Sequence, residues 1–284
     1  MKSSNKVMFT LIIIGLVLVL IGSIVLGVGF ITSRSSYTDS TSISDPEALN
    51  LDLSGLSSVK LEIGRANINF IPDDHFAVET ADSEHGDIIC SYDEATGELK
   101  ILQKGYKHRS FGNHLLSSAK DTDSVINIYV AATGLHKIDI ELGVGEISMD
   151  GVSANEIEVS HGAGAVSITD CSASECDFDI AVGEFIISDC EFSNMELQNG
   201  AGSVSFSGVL RGKSKIKGGV GEIELNLTDS ADNYSFDCMQ GLGDISINGS
   251  ESFGIVKKQD GINNAPNRIA IESGVGSISV NTAN

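Results

Sequence analysis

The sequence predicts an all-β fold: a right-handed parallel β-solenoid with coils of about 19 residues, preceded by one transmembrane α-helix. Three observations carry this expectation. A Gly-x-Gly step recurs at a fixed period. Apolar residues alternate with polar ones on both sides of that step, the period-2 signature of half-buried strands. An uncharged apolar run, Val7 to Thr32, stands near the start of the chain.

Composition narrows the function classes. Of 284 residues, 39 are acidic and 18 basic, a formal net charge of −21. Such a chain is not built to neutralise nucleic-acid phosphates. Gly, at 31 residues, is far below the one in three of collagen. The low Pro content and the lack of long charge runs argue against wholesale disorder.

The elements follow in chain order. Residues 1–6 read as a cytoplasmic tail with Lys2 and Lys6. Residues 7–32 read as the membrane helix: 26 residues reach roughly 39 Å, enough to cross a hydrocarbon core of about 30 Å with some tilt. A cleaved secretory signal would have a shorter apolar core and a small-residue cleavage site, and Gly27 to Thr32 is a poor one. The positive-inside rule then places the amino terminus in the cytoplasm and the body outside it. Residues 33–50, rich in Ser, Thr and Asp, read as a flexible linker. Residues 51–132 form a less regular β region, giving the first coils and a cap, in which Gly64 to Phe70 looks like a worn copy of the repeat. Residues 133–284 carry the regular repeats.

Those repeats turn on Gly143 and Gly145, Gly162 and Gly164, Gly200 and Gly202, Gly219 and Gly221, Gly241 and Gly243, and Gly274 and Gly276, with one degenerate copy, Ala181-Val182-Gly183. The second glycines fall at 145, 164, 183, 202 and 221, four steps of 19; the next steps, to 243 and 276, are 22 and 33, read as insertions of 3 and 14 residues. Aligned on that glycine, five columns are mostly apolar, represented in the first repeat by Ile138, Ile140, Ile147, Met149 and Val152. The last column continues through Cys171, Cys190, Val209 and Thr228. A 19-residue unit cannot bury its own apolar side, whereas stacked coils share a core, with like residues about 4.8 Å apart. The right hand follows from the general rule for parallel crossovers.

With Val125 to Val130, Lys137 to Ile140, Thr96 to Ile101 and the Gly-x-Gly units in view, the chain resembles the bacterial toast-rack family over roughly residues 51–284. That family is catalogued as of unknown function and is also provisionally described as adhesins. The resemblance implies a membrane-tethered solenoid in the cell envelope, linked to stress sensing. It supplies no catalytic residues. The 33-residue step leaves the place of the last coil open.

The candidate chemistry is sparse. Cys171 and Cys190 share a column one coil apart, within disulfide range, but that column and those of Cys176 and Cys238 are apolar, which favours buried thiols. Cys90 makes the count odd. Glu146, Glu184 and Glu222 follow alternate corners and lie too far apart for one ion; Asp170 and Asp189 are neighbours better read as solvated. No nucleophile motif or metal-ligand spacing is present, so neither catalytic residue nor cofactor is assigned. Two basic islands stand out. One contains Lys104, Tyr106, Lys107, Arg109 and Phe111 and runs on to Lys120; the other places Lys213, Lys215 and Lys217 on one outward face, with Ser214 and Ile216 inward. Either could grip another envelope protein or an anionic wall polymer; either could also be a solvated face balancing nearby acids. The expected function is non-enzymatic binding or scaffolding in envelope stress sensing. The alternatives are an adhesin or wall-polymer-binding module and, behind both, a polysaccharide lyase.

Overall fold

The computed structural model describes residues 55–81, 88–104, 124–261 and 265–283, with backbone alone at 81 and 253–260. The expected membrane helix, linker and most of the first basic island lie outside the described residues. Among the described residues thirteen strands follow in chain order: β1 (Ser58–Pro72), β2 (Ala77–Ala81), β3 (Ile88–Asp93), β4 (Glu98–Gln103), β5 (Val125–Val130), β6 (Leu135–Asp150), β7 (Ala154–Thr169), β8 (Ser172–Ser193), β9 (Met195–Arg211), β10 (Lys213–Ser230), β11 (Tyr234–Ile247), β12 (Ser250–Gly261) and β13 (Asn267–Ala283).

From β6 to β10 each strand pairs in parallel with the next, and the register is the sequence period. Ile138 faces Ile157, Ile157 faces Cys176, and Cys176 faces Met195. Gly145, Gly164, Gly183, Gly202 and Gly221 form one continuous row. Each long strand bends at that row. Gly164 shows why the residue is glycine: its φ is +139°, and a Cβ there would overlap the Gly145 carbonyl oxygen. The two halves of a coil then face each other. The Phe178 and Phe185 rings, on opposite sides of one corner, lie 4.9 Å apart, and Phe178 meets Phe192 at 6.0 Å. Alternate side chains point into the shared interior, where Ile138, Ile140, Ile147 and Met149 are buried and repeat rung by rung. Each fully buried Phe contributes about 1.5–3 kcal/mol of transfer free energy.

Two expectations about the repeat are corrected. The column through Cys171 and Cys190 does not continue to Val209 and Thr228: Val209 is half-buried and Thr228 exposed, while Leu210 and Leu227 take the inward places. Asp170 and Asp189 turn the chain just before the two cysteines with φ of 52° and 56°. Between Ile187 and Cys190 β8 carries one residue more than β9, and the register shifts so that Gly208 faces Cys190 and Leu210 faces Phe192. The later 22- and 33-residue steps are not insertions within successive coils either. β13 pairs in parallel with β10, aligning Gly276 with Gly221, and β11 pairs with the other side of β13, aligning Gly243 with Gly276. The spatial order is therefore β10, β13, β11, β12. β12 runs back antiparallel along β11 as the terminal strand.

At the other end β1 lies in full parallel register with β6, with Ala66 opposite Gly145. β4 and β5 pair in parallel with the two halves of β1, and β3 and β2 close them antiparallel. Both ends of the sheet thus finish on antiparallel strands, which halt further parallel stacking.

Candidate functional site

The first halves of the coils carry a charged outer surface. One outward row reads Lys60, Asp139, Glu158, Asp177, Glu196 and Lys215 from β1 to β10. Lys60 donates to Asp139 at 2.7 Å, and Lys137 donates to Glu156 at 2.8 Å and to Glu158 at 2.7 Å. Burial opposes the charge of both lysines, but these carboxylate bonds outweigh it and raise both pKa values. Asp177 and Asp179 titrate above the usual carboxylate range, mainly through burial, with Glu158 and Glu196 adding repulsion at Asp177. These pairs are partly solvated, so each contributes under about 1 kcal/mol.

The second basic island sits at the end of this acidic row. Ser214 and Ile216 are buried, and Lys213, Lys215 and Lys217 face outward from one strand. Lys213 stands beside Arg268, Lys215 beside Glu196, and Lys217 between Gln198 and Glu272. Among the described residues Lys213, Lys215 and Lys217 make no ion pair, whereas Arg211 binds Glu191 at 3.1 Å and Asp229 at 2.6 Å. The first island is not brought into view in the same way. Lys104 is exposed just beyond β4, and Tyr106, Lys107, Arg109 and Phe111 lie outside the described residues. The two islands are therefore not shown to form one site.

The sequence profile of the Toastrack DUF4097 family matches residues 56–273, from β1 into the first half of β13. The chain belongs to the Toastrack DUF4097 family. Solved structures similar to this Toastrack chain include a Clostridium sporogenes protein provisionally assigned to cell adhesion. It is 19% identical, the match covers 84% of this chain and 98% of that one, and the TM-score is 0.36. A Bacteroides fragilis protein provisionally assigned as an adhesin is 10% identical, with coverage of 84% and 98% and a TM-score of 0.42. A Parabacteroides distasonis protein provisionally assigned to lipid binding is 15% identical, with coverage of 86% and 98% and a TM-score of 0.37. No curated protein matches the chain.

Inside the Toastrack coils the structure adds a polar column that the sequence columns did not include. Three residues before the corner glycine, His161, Asn199, Gln240 and Ser273 are buried. Two of them bond the corner backbone. His161 Nε2 donates to the Gly145 carbonyl at 3.1 Å, and Gln240 Nε2 donates to the Gly276 and Leu242 carbonyls, both at 3.2 Å. His161 Nδ1 is buried without a partner, and burial lowers the His161 pKa. Its hydrogen bond to the Gly145 carbonyl gives the ring a structural part at the corner.

All five cysteines, Cys90, Cys171, Cys176, Cys190 and Cys238, are buried free thiols. Cys171 Sγ lies 3.2 Å from the Thr169 carbonyl and Cys190 Sγ 3.2 Å from that of Ser188, at equivalent places one coil apart. Burial pushes the Cys90 thiol up to about 11, away from nucleophilic use. The predicted glycines Gly143, Gly162, Gly200, Gly219, Gly241 and Gly274 stand within the strands two residues before the second-glycine row. Among the described residues the large apolar side chains left exposed are Val144, Val182, Met239 and Leu242, of which three stand between the two glycine rows.

Proposed function

We propose that this protein is a non-enzymatic binding or scaffolding module of the cell envelope, a right-handed β-solenoid held outside the cytoplasm by an amino-terminal membrane helix. The observation that carries the binding role is the row Lys213, Lys215 and Lys217: three outward cations on one strand, unpaired among the described residues. Alternate residues on a strand stand roughly 7 Å apart, and a stack of hydrogen-bonded coils holds that spacing fixed. The row presents a preset cationic strip to an acidic partner in an otherwise strongly acidic chain. The tether rests on the uncharged run 7–32 and the lysines before it. The stress-sensing role rests on the resemblance to the toast-rack family.

Photo-crosslinking in cells from probes at positions 213 and 217 of the full chain tests this reading. A discrete adduct with an acidic envelope protein, lost in Lys215→Ser, is the expected result. Adducts with wall material alone, weakening with salt, would favour the second reading, an adhesin gripping anionic polymer. The absence of any adduct from a correctly folded, membrane-localised protein would remove the binding role of this row.

A further inference from the structure

The corner between the two glycine rows forms a second surface. The residues between the glycines align across seven successive coils: Val144, Ala163, Val182, Ala201, Val220, Val275 and Leu242, with Arg65 one rung before Val144. Val144, Val182 and Leu242 are 40%, 51% and 54% exposed. Met239, also exposed, lies on the same strand as Leu242. Seven rungs at about 4.8 Å make an apolar ridge about 29 Å long. Its first five rungs alternate large and small, Val and Ala.

The row just beyond the corner glycine carries the charge. It reads Glu146, Ala165, Glu184, Ser203, Glu222, Ser277 and Asp244 in spatial order. A carboxylate thus stands on every second rung, on the same rungs as Val144, Val182, Val220 and Leu242. Asp244 keeps this rhythm because β13 lies between β10 and β11. All four carboxylates are exposed, and none makes an ion pair among the described residues. The opposite flank carries Glu141, Asp179 and Glu272, with Lys217 among them.

We infer that this ridge docks a cationic amphipathic α-helix, its apolar stripe on the valine row and its basic side chains against Glu146, Glu184, Glu222 and Asp244. Charge selects this occupant. A second copy of the chain would set acids against acids, and an anionic lipid surface would be repelled in the same way. Length and period agree with it. Carboxylates about 9.6 Å apart match basic residues seven positions apart, about 10.5 Å along a helix, and four such residues span about 22 residues and about 32 Å against about 29 Å for the ridge. The alternation of Val and Ala gives the helix side chains notches to enter, as in other helix-docking surfaces.

The test uses the full chain in phosphatidylcholine nanodiscs and a fluorescent helical peptide of about 22 residues with a Leu stripe and four Lys spaced seven positions apart. Saturable binding that weakens with salt is expected. Combining Glu146→Gln, Glu184→Gln, Glu222→Gln and Asp244→Asn should weaken it about tenfold or more, and so should Val182→Ser with Leu242→Ser. Melting curves check that these surface variants still fold. Replacing Lys213 and Lys215 by Ser, which leaves Lys217 on the ridge flank in place, should leave peptide binding unchanged, which separates this surface from the proposed partner row. Equal binding of a peptide with Glu in place of Lys, binding fully explained by empty nanodiscs, or unchanged binding by the folded ridge variants would overturn the inference. So would sedimentation showing a dimer that these variants split, which would assign the ridge to a second copy.

Discussion

Between β6 and β10 the coils stack in the order of the chain, whereas beyond β10 that order breaks and β13 slips between β10 and β11. Both regions keep the same corner, the same inward columns and in-register glycines. The difference separates two kinds of information. The repeat fixes what each coil looks like and which residues align with which. It does not fix which coil is the neighbour, because any two coils with matching corners offer equivalent hydrogen-bonding edges. Neighbour choice at the carboxyl-terminal end goes with β12, which covers the outer edge of β11 antiparallel and leaves only its inner edge to β13.

The largest expected effect lies in the regular region. Leu197 is 1% exposed, and Leu197→Asp buries an unpaired charge at a cost of several kcal/mol. Cooperative thermal unfolding should be lost, whereas Leu242→Asp, on the exposed corner beyond the break, should melt almost like the parent. A normal melting curve for Leu197→Asp would contradict the inward columns.

The next effect probes the break itself. Gly276 has a φ of +144°, and a Cβ there would overlap the Gly221 carbonyl oxygen. Gly276→Ala should cost at least about 1–3 kcal/mol from backbone strain, read from urea unfolding. An unaffected midpoint would mean that β13 does not press against β10.

A smaller effect is expected from acid. Burial lowers the His161 pKa below its ordinary 6.5, so the unfolded chain takes up the proton more readily than the folded one. The stability linked to this ring is complete above about pH 6.5 and is lost as pH falls through the depressed folded value. His161→Leu, which copies Leu142 and Ile180 in the neighbouring coils, should flatten the decline in urea midpoint on acidification. An unchanged slope would remove His161 as the cause. The smallest effect on stability belongs to Lys213→Ser, Lys215→Ser and Lys217→Ser combined, within about 0.5 kcal/mol of the parent by melting.

Much of the coil was legible in the sequence, because a strict period leaves one register in which both glycines and apolar columns align. The columns through Ile138, Ile140, Ile147 and Met149 are buried on that register. The Cys171 column lost its trace where Gly208 replaces the Asp turn and shifts the pairing, a local backbone change that composition does not reveal. The outward placement of Lys213, Lys215 and Lys217 followed from strand alternation alone. Of the corner surface, Glu146, Glu184 and Glu222 were visible as alternating acids, but Asp244 joins them only through the displaced strand order. Buried polar residues such as His161 and Gln240 escaped notice because their partners are backbone carbonyls, which no side-chain motif announces.

The strand order is tested most directly by pairing cysteines across the corner. Val220 and Val275 are in register on adjacent strands, as are Val275 and Leu242, so each pair falls within the Cα separation a disulfide spans. The account predicts that Val220→Cys with Val275→Cys, and Val275→Cys with Leu242→Cys, form intramolecular disulfides on mild oxidation, while Val220→Cys with Leu242→Cys, two rungs apart, does not. Efficient bridging of positions 220 and 242, with none at 220 and 275, would show the coils stacked in chain order and contradict both the fold's end and the carboxylate spacing drawn from it.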